Sequence, residues 1–258
     1  MVIAVLVKQV PDTASTFAIG ADQKSVDMAN LKYVMSPYDE HAVEEAIKIR
    51  DEKGGEAVVV SLGGAGVKET IRTALAMGMD RAVLVNEDNA SELGHFGIAQ
   101  ALAAAVKTLS PDLVLAGKQA VDDDASQVPE RVAEILEMPH ASIVTKIELG
   151  DGSAVVEREI EGGNYEMEIP LPGLITTEKG INTPRYPTLP NIMKAKKKEI
   201  KDVTLDELGL NRDELKTGLS VDSMALPRQE RLNNVLDGEH ADTVKQLVSA
   251  LKEQEKVL

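Results

Sequence analysis

A chain of 258 residues, 43% hydrophobic and 28% charged, can bury a sizeable core as one large domain or two smaller ones. It has no cysteine, which excludes disulfides, cysteine-held metal clusters and thiol nucleophiles together. A net charge of −15, with four tyrosines, two phenylalanines and no tryptophan, excludes nucleic acid as a partner and opposes attachment to an anionic membrane. The opening MVIAVLVKQV has its first base, Lys8, after its apolar run. No stretch approaches the ~18 apolar residues of a membrane span. The opening therefore reads as a strand, with no membrane insertion or targeting segment expected and a cytoplasmic or mitochondrial-matrix-like location.

In chain order, residues 2–8, 57–62, 82–85 and 112–116 are short runs rich in Val, Ile and Leu, as expected of strands buried on both faces. Ser36-Pro37 predicts a helix start, with Ser36 as N-cap, Pro37 at the first position and Asp39, Glu40 and Glu44 suited to its positive end. Gly54-Gly55 predicts its end. Helices are expected over 68–77 and over the alanine-rich 93–109, and strand alternating with helix implies a doubly wound, mostly parallel α/β sheet. After residue 138 the pattern turns β-rich, with strands expected at 141–149, 154–160, 165–170 and 173–178 as an extension of the same domain. From 181 onward Pro184, Pro187 and Pro190 interrupt regular structure, the lysines 194 and 196–198 follow, and a polar stretch runs to about 238. The expected division is a nucleotide-binding domain over 1–180, a Pro-bounded loop over 181–200 whose basic patch could meet an acidic partner, and a C-terminal arm over 201–258. The arm ends in a helix over 241–257 with Val244, Leu247, Val248 and Leu251 along one stripe.

In an open parallel sheet, ligands bind beyond the carboxyl ends of the strands, so the loops 7–12, 61–66 and 117–127 should border one crevice. Ser61-Leu62-Gly63-Gly64-Ala65-Gly66 offers amides suited to a phosphate, or glycines that only turn the chain. The loop carrying Asp122, Asp123 and Asp124 admits three readings: helix capping, a Mg²⁺ site, or nucleotide recognition through amides, Ser126 and Gln127. Its place directly beyond a buried strand favours the third. His41, His95, His140 and His240 have no metal-ligand spacing and read as surface or helix residues. No GxSxG occurs, so nucleophilic catalysis lacks its usual parts and no catalytic residue or metal is assigned. The lysine tract reads as a solvated face, or as a basic patch that steers an acidic partner.

The blocks VKQVPDT (7–13), SPYDEHAVEEA (36–46), ETIRTALAMGMDRA (69–82), GKQAVDDDASQ (117–127), VEREIEGG (156–163) and PRYPTLPNIMKAKKK (184–198) resemble the electron transfer flavoprotein beta subunit, from residue 1 to about 210. The resemblance implies a Rossmann-like, adenine-nucleotide-binding fold and an electron carrier rather than an enzyme. It implies an obligate heterodimer with an alpha subunit that holds most of the FAD, while this chain binds AMP and completes the flavin site. By position, the nucleotide contacts would be Leu6, Ser36, Pro37, Tyr38, Asp39, Leu62, Gly117, Lys118, Gln119, Ala120, Val121, Asp122, Asp123, Asp124, Ala125, Ser126, Gln127 and Val128. Thr13 and Tyr38 would lie near the partner subunit's flavin, and Leu189 would anchor the carrier to an acyl-CoA dehydrogenase in fatty acid oxidation, with a quinone oxidoreductase as acceptor.

A sister group within the family holds a second FAD in place of AMP and bifurcates electrons from NADH. TLPNIMKAKKK resembles the AMP-containing carriers, whereas VKQVPDT and the Gln127-Val128 pair resemble the bifurcating ones. The side chain of Asp123 favours AMP, since a flavin needs more room along that loop. Outside the family, a PP-loop ATP-cleaving enzyme would need SGGxDS after an early strand, and a universal-stress-type nucleotide sensor would lack the arm beyond 181.

Overall fold

The computed structural model describes residues 1–227 and 233–258; residues 228–232 of the expected arm lie outside the described residues. In chain order the elements are β1 (Val2–Leu6), β2 (Gln9–Pro11), β3 (Tyr33–Met35), α1 (Pro37–Lys53), β4 (Glu56–Gly63), α2 (Val67–Met77), β5 (Arg81–Asn86), α3 (Gly94–Lys107), β6 (Leu113–Gly117) and α4 (Val128–Ile135). There follow β7 (His140–Leu149), β8 (Ser153–Ile160), β9 (Gly163–Pro170), β10 (Gly173–Thr177), α5 (Leu189–Ala195), β11 (Ile200–Val203), α6 (Arg212–Leu215) and α7 (His240–Ser249).

The apolar runs form one sheet of nine strands in the order β11-β5-β4-β1-β6-β10-β7-β8-β9. It is parallel from β11 to β7, and β8 and β9 continue it as an antiparallel meander. The expected doubly wound α/β sheet with a β-rich extension is thus present. Successive residues of a strand face opposite sides, so β1 supplies both cores. Ile3 and Val5 pack with Ile47 of α1 and Ile71 of α2, while Ala4 and Leu6 pack with Leu102 and Val106 of α3 and Val132 of α4. From β1 the chain winds outward through β4 and β5 on one side, then crosses back to β6 on the other. The direction of winding therefore reverses between β1 and β6.

Residues 181–217 are more ordered than their prolines suggest. Glu44 of α1, buried, is forked by Arg185 at 2.8 and 2.9 Å, and Asn182 donates to Glu45 at 2.9 Å. The prolines after this pin do not break regular structure; they introduce α5. Thr188 is its N-cap, accepting the amide of Asn191 at 3.4 Å, and Pro190 occupies its first turn, where a missing N–H costs nothing. Leu189 therefore opens a helix instead of lying in a loop. Lys198 also departs from the solvated tract: it is half-buried and donates to the carbonyls of Leu75 and Met79 at the end of α2, whereas Lys194, Lys196 and Lys197 are exposed.

Residues 200–217, read from sequence as part of the arm, pack on the domain. β11 pairs with β5 along the sheet edge, Leu205 and Leu215 enter the core, and Arg212 forks Glu87 at 2.9 and 3.1 Å. Beyond Thr217 the chain carries exposed apolar side chains, among them Leu219 at 86% and Val244 at 59% exposure. α7 has its expected stripe, runs directly into a π-helical turn over Ala250–Gln254, and leaves Val244, Leu247 and Val248 exposed.

Candidate functional site

The winding reverses between β1 and β6, and the three loops expected to border a crevice there converge beyond the carboxyl ends of these strands. Gln9, just past β1, donates its side-chain amide to the Gly66 carbonyl at 3.1 Å and to Thr70 Oγ1 at 2.9 Å, joining the first loop to the glycine loop. The Ser61 hydroxyl donates to the Val7 carbonyl at 2.7 Å. Lys8 Nζ reaches Asp122 at 2.8 Å and Asp123 at 3.0 Å, joining the first loop to the acidic one. Burial works against the Lys8 charge, yet the hydrogen bonds and attraction of these two aspartates hold its pKa above the usual lysine range. Lys8 engages one oxygen of each of Asp122 and Asp123. His95, half-exposed, lies with Nε2 3.1 Å from Asp123. Among the described residues, no cluster of three or more acidic or histidine ligands has the geometry of a metal site.

Asp39 forms the floor. It occupies the third position of α1 and is buried, with 6% of its surface exposed. Its Oδ2 accepts the Lys8 amide at 2.8 Å and its Oδ1 accepts the Gly117 amide at 3.0 Å. Burial pushes this carboxyl up to about 7, against the pull of the two amides and of Lys8 and helped by the charge of Asp122. Gly117 must be glycine: a Cβ would come within 2.5 Å of Asp39 Oδ1 and 2.6 Å of Tyr38 Cβ. Ser36, fully buried, stands at the N-cap of α1, but its hydroxyl caps nothing and lies 3.5 Å from the Gln119 carbonyl. Pro37 is the exposed first residue of that helix.

Past Gly117 the loop is held by its own side chains. Lys118 pairs with Glu178 and stands 5.0 Å above the Tyr38 ring, Gln119 donates to Asp124 at 2.6 Å, and Ser126 donates to Gln119 at 3.1 Å. Ala120 and Val121 lead into the turn, and the Ala125 amide bonds Asp123 at 3.1 Å. Asp124 and Ser126 adopt left-handed φ of 47° and 49°, which turns the chain sharply into α4 at Gln127 and Val128. Leu6 is buried at the end of β1 and Leu62 is half-buried near the end of β4. The helices α2 and α4 begin at these loops and α1 begins beside the first of them, where the Ser36 amide donates to the Lys8 carbonyl at 3.0 Å; none has a side-chain cap on its first amides.

Two expected residues lie apart from this set: Thr13 in the exposed turn after β2, and Leu189 on α5 with 73% of its surface exposed. Sequence reasoning missed Gln9 and Thr177, whose hydroxyl donates to the carbonyls of Tyr38 and Ala116 at 3.3 Å. Nothing in local sequence marks them, because both act across long separations in the chain.

The family model of the electron transfer flavoprotein domain matches residues 24–208. The chain is 39% identical over 255 residues to the electron transfer flavoprotein subunit beta of Bacillus subtilis (strain 168), covering 98% of each chain. It is 40% identical over 253 residues to the subunit beta of Sus scrofa, with 96% of each covered, and 38% identical over 261 residues to the mitochondrial subunit beta of Oryza sativa subsp. japonica, with 100% of each covered. With a parallel sheet that reverses its winding between β1 and β6 and likeness along nearly its whole length, the chain belongs to the electron transfer flavoprotein family as a beta subunit.

Proposed function

We propose that this chain is the AMP-binding, non-catalytic half of a heterodimeric electron carrier, completing a flavin site whose FAD is held mainly by an alpha subunit. The supporting observation is the convergence of three uncapped helix N-termini on one crevice whose lysines, Lys8 and Lys118, are already paired with carboxylates. The positive ends of helices without a side-chain cap suit an anion, so a nucleotide phosphate would be held mainly by helix dipoles and loop N–H groups; in α2 the amides of Val67, Lys68 and Glu69 already donate to the carbonyls of Gly64, Ala65 and Gly66. The fit extends to the glycine loop, where Gly63 has a φ of 149° and a Cβ would press to 2.6 Å from Val67. Of the residues proposed as contacts, Ser36, Tyr38 and Gln119 to Val128 would border the nucleotide, while Leu6 and Leu62 would act from beneath it.

FAD, when bound, supplies the redox chemistry. This chain's residues would bind, orient and exclude water around it, with Tyr38 and Thr13 on the side facing the partner. The exposed apolar residues beyond Thr217 support an alpha subunit as what covers them. Electrons would come from acyl-CoA dehydrogenases docked at Leu189 and pass to a quinone-linked acceptor. The cytoplasm or a matrix-like compartment suits this role, since no described helix is long and apolar enough to cross a membrane.

A second reading places FAD in this crevice, as in bifurcating carriers. Asp123 speaks for AMP, because Lys8, His95 and the Ala125 amide fix its side chain beside the loop that a flavin would need to pass. Copurification with the alpha subunit, followed by acid release of nucleotides, decides between them. One FAD and one AMP per heterodimer is the expected result. Two FAD would establish the second reading, and no AMP with a single FAD would reject a nucleotide in this subunit.

A further inference from the structure

β1 and β6 are the two strands that flank the reversal of winding, and they must separate at their carboxyl ends for a crevice to open. The last pair in their ladder is Leu6 with Ala116. One residue past it on β6, and two past it on β1, the amides of Gly117 and Lys8 turn to a common acceptor, the two oxygens of Asp39. We propose that Asp39 is a positioning residue whose carboxylate touches no nucleotide but ties the two walls of the crevice together at a fixed spacing, so that the site is preformed before its ligand arrives. The inference rests on the nucleotide reading of the crevice and removes Asp39 from the expected set of direct contacts.

Three observations carry it. The two oxygens are taken by backbone amides from the two sides of the reversal, Lys8 just past β1 and Gly117 at the end of β6, and the side chain is buried. Gly117 is shaped to the carboxylate, since even a methyl group there would collide with Oδ1. The third is placement on the first turn of α1, where the carboxylate meets the positive end of the helix and α1 becomes a rigid mount for the tie. A carboxamide of the same shape offers one acceptor oxygen and one N–H₂, so it can serve only one of the two amides. Protonation of the acid has the same effect, and the residue titrates near neutrality. The charged groups that act on it are Lys8 from the β1 side and Asp122 from the loop after β6; Lys118 is engaged by Glu178.

The test uses the heterodimer stripped of nucleotide, titrated with AMP and with FAD at pH 6 and pH 8, in wild type, Asp39→Asn and Asp39→Ala. The phosphate titrates equally in every variant, so the ratio of wild-type to Asn affinity isolates Asp39. That ratio should be near one at pH 6, where the wild-type acid is largely protonated and resembles the amide, and should rise to about tenfold at pH 8. Asp39→Ala should bind more weakly than Asn at both pH values. A ratio near one at both pH values, or one below unity at pH 8, overturns the tie; the latter would mean that the carboxylate faces and repels the phosphate. A wild-type heterodimer that takes up neither AMP nor FAD rejects the nucleotide reading itself, and the tie with it. Should Asp39→Ala fail to assemble, the isosteric Asn variant alone decides.

Discussion

Asp39 holds its carboxyl in a place where burial disfavours the charge, and that has a thermodynamic signature apart from ligand binding. Its folded pKa of about 7 lies above the 3.8 of an unperturbed aspartate. The folded state therefore keeps a proton that the unfolded state has lost, and the resulting stability is fully present below about pH 4 and declines as pH rises through 7. A shift of this size corresponds to roughly 4 kcal/mol between those limits. Asp39→Asn should flatten this part of the profile, so that the melting temperature of wild type falls more steeply than that of Asn between pH 5 and pH 8. Parallel profiles in the two heterodimers would show that the group is not buried as described. Sequence alone marks Asp39 as a helix-start acid or a nucleotide neighbour. Its role as a tie is not legible there, because the two amides it serves come from residues far from it in the chain.

At the scale of elements, α5 and the turn before it offer Tyr186, Leu189 and Met193 to solvent at 94%, 73% and 58% exposure, with Lys194, Lys196 and Lys197 beside them. The element is held from beneath by Arg185 on Glu44 and by Arg72 on the carbonyls of Ala195 and Lys198, both at 2.6 Å. A preformed, exposed apolar residue loses little entropy on docking. Leu189→Ala should therefore weaken association with a reduced acyl-CoA dehydrogenase by roughly tenfold or more, from the ~1.5–3 kcal/mol of a buried leucine, with flavin content and melting temperature unchanged. Replacing Lys194 and Lys197 together should instead lower the encounter rate and its salt dependence. Transfer by Leu189→Ala at the wild-type rate under limiting carrier would reject the anchor. The buried strands and long helices are legible from unbroken apolar runs and from Ser36-Pro37. α5 and β11 are not, since a proline-rich start reads as a break until Thr188 is seen to cap it, and four residues of an edge strand carry too little pattern to stand out.

Across the whole molecule, the sheet domain closes on itself through residue 217, and the described residues beyond that point are mostly exposed. Val244, Leu247 and Val248 of α7 are each about half exposed or more. Removing residues 239–258 should weaken assembly with the alpha subunit, read as a higher dissociation constant in sedimentation, while leaving the unfolding of the sheet domain in place; unchanged assembly would show that α7 is not an interface. The order of strands carries one more consequence, in the time domain. β10 sits between β6 and β7 at the middle of the sheet, yet it is synthesised after β7, β8 and β9. Leu113 must wait for Gly173 to pair with it, and Ala141 must wait for Ile175. While the chain emerges, β6 presents an open apolar edge beside a meander that already exists, and the two halves of the domain can join only when β10 slides between them. On a ribosome, the protein should thus remain without a closed core, and without the Gly117 wall of its crevice braced against Thr177, until roughly two thirds of its length has been made.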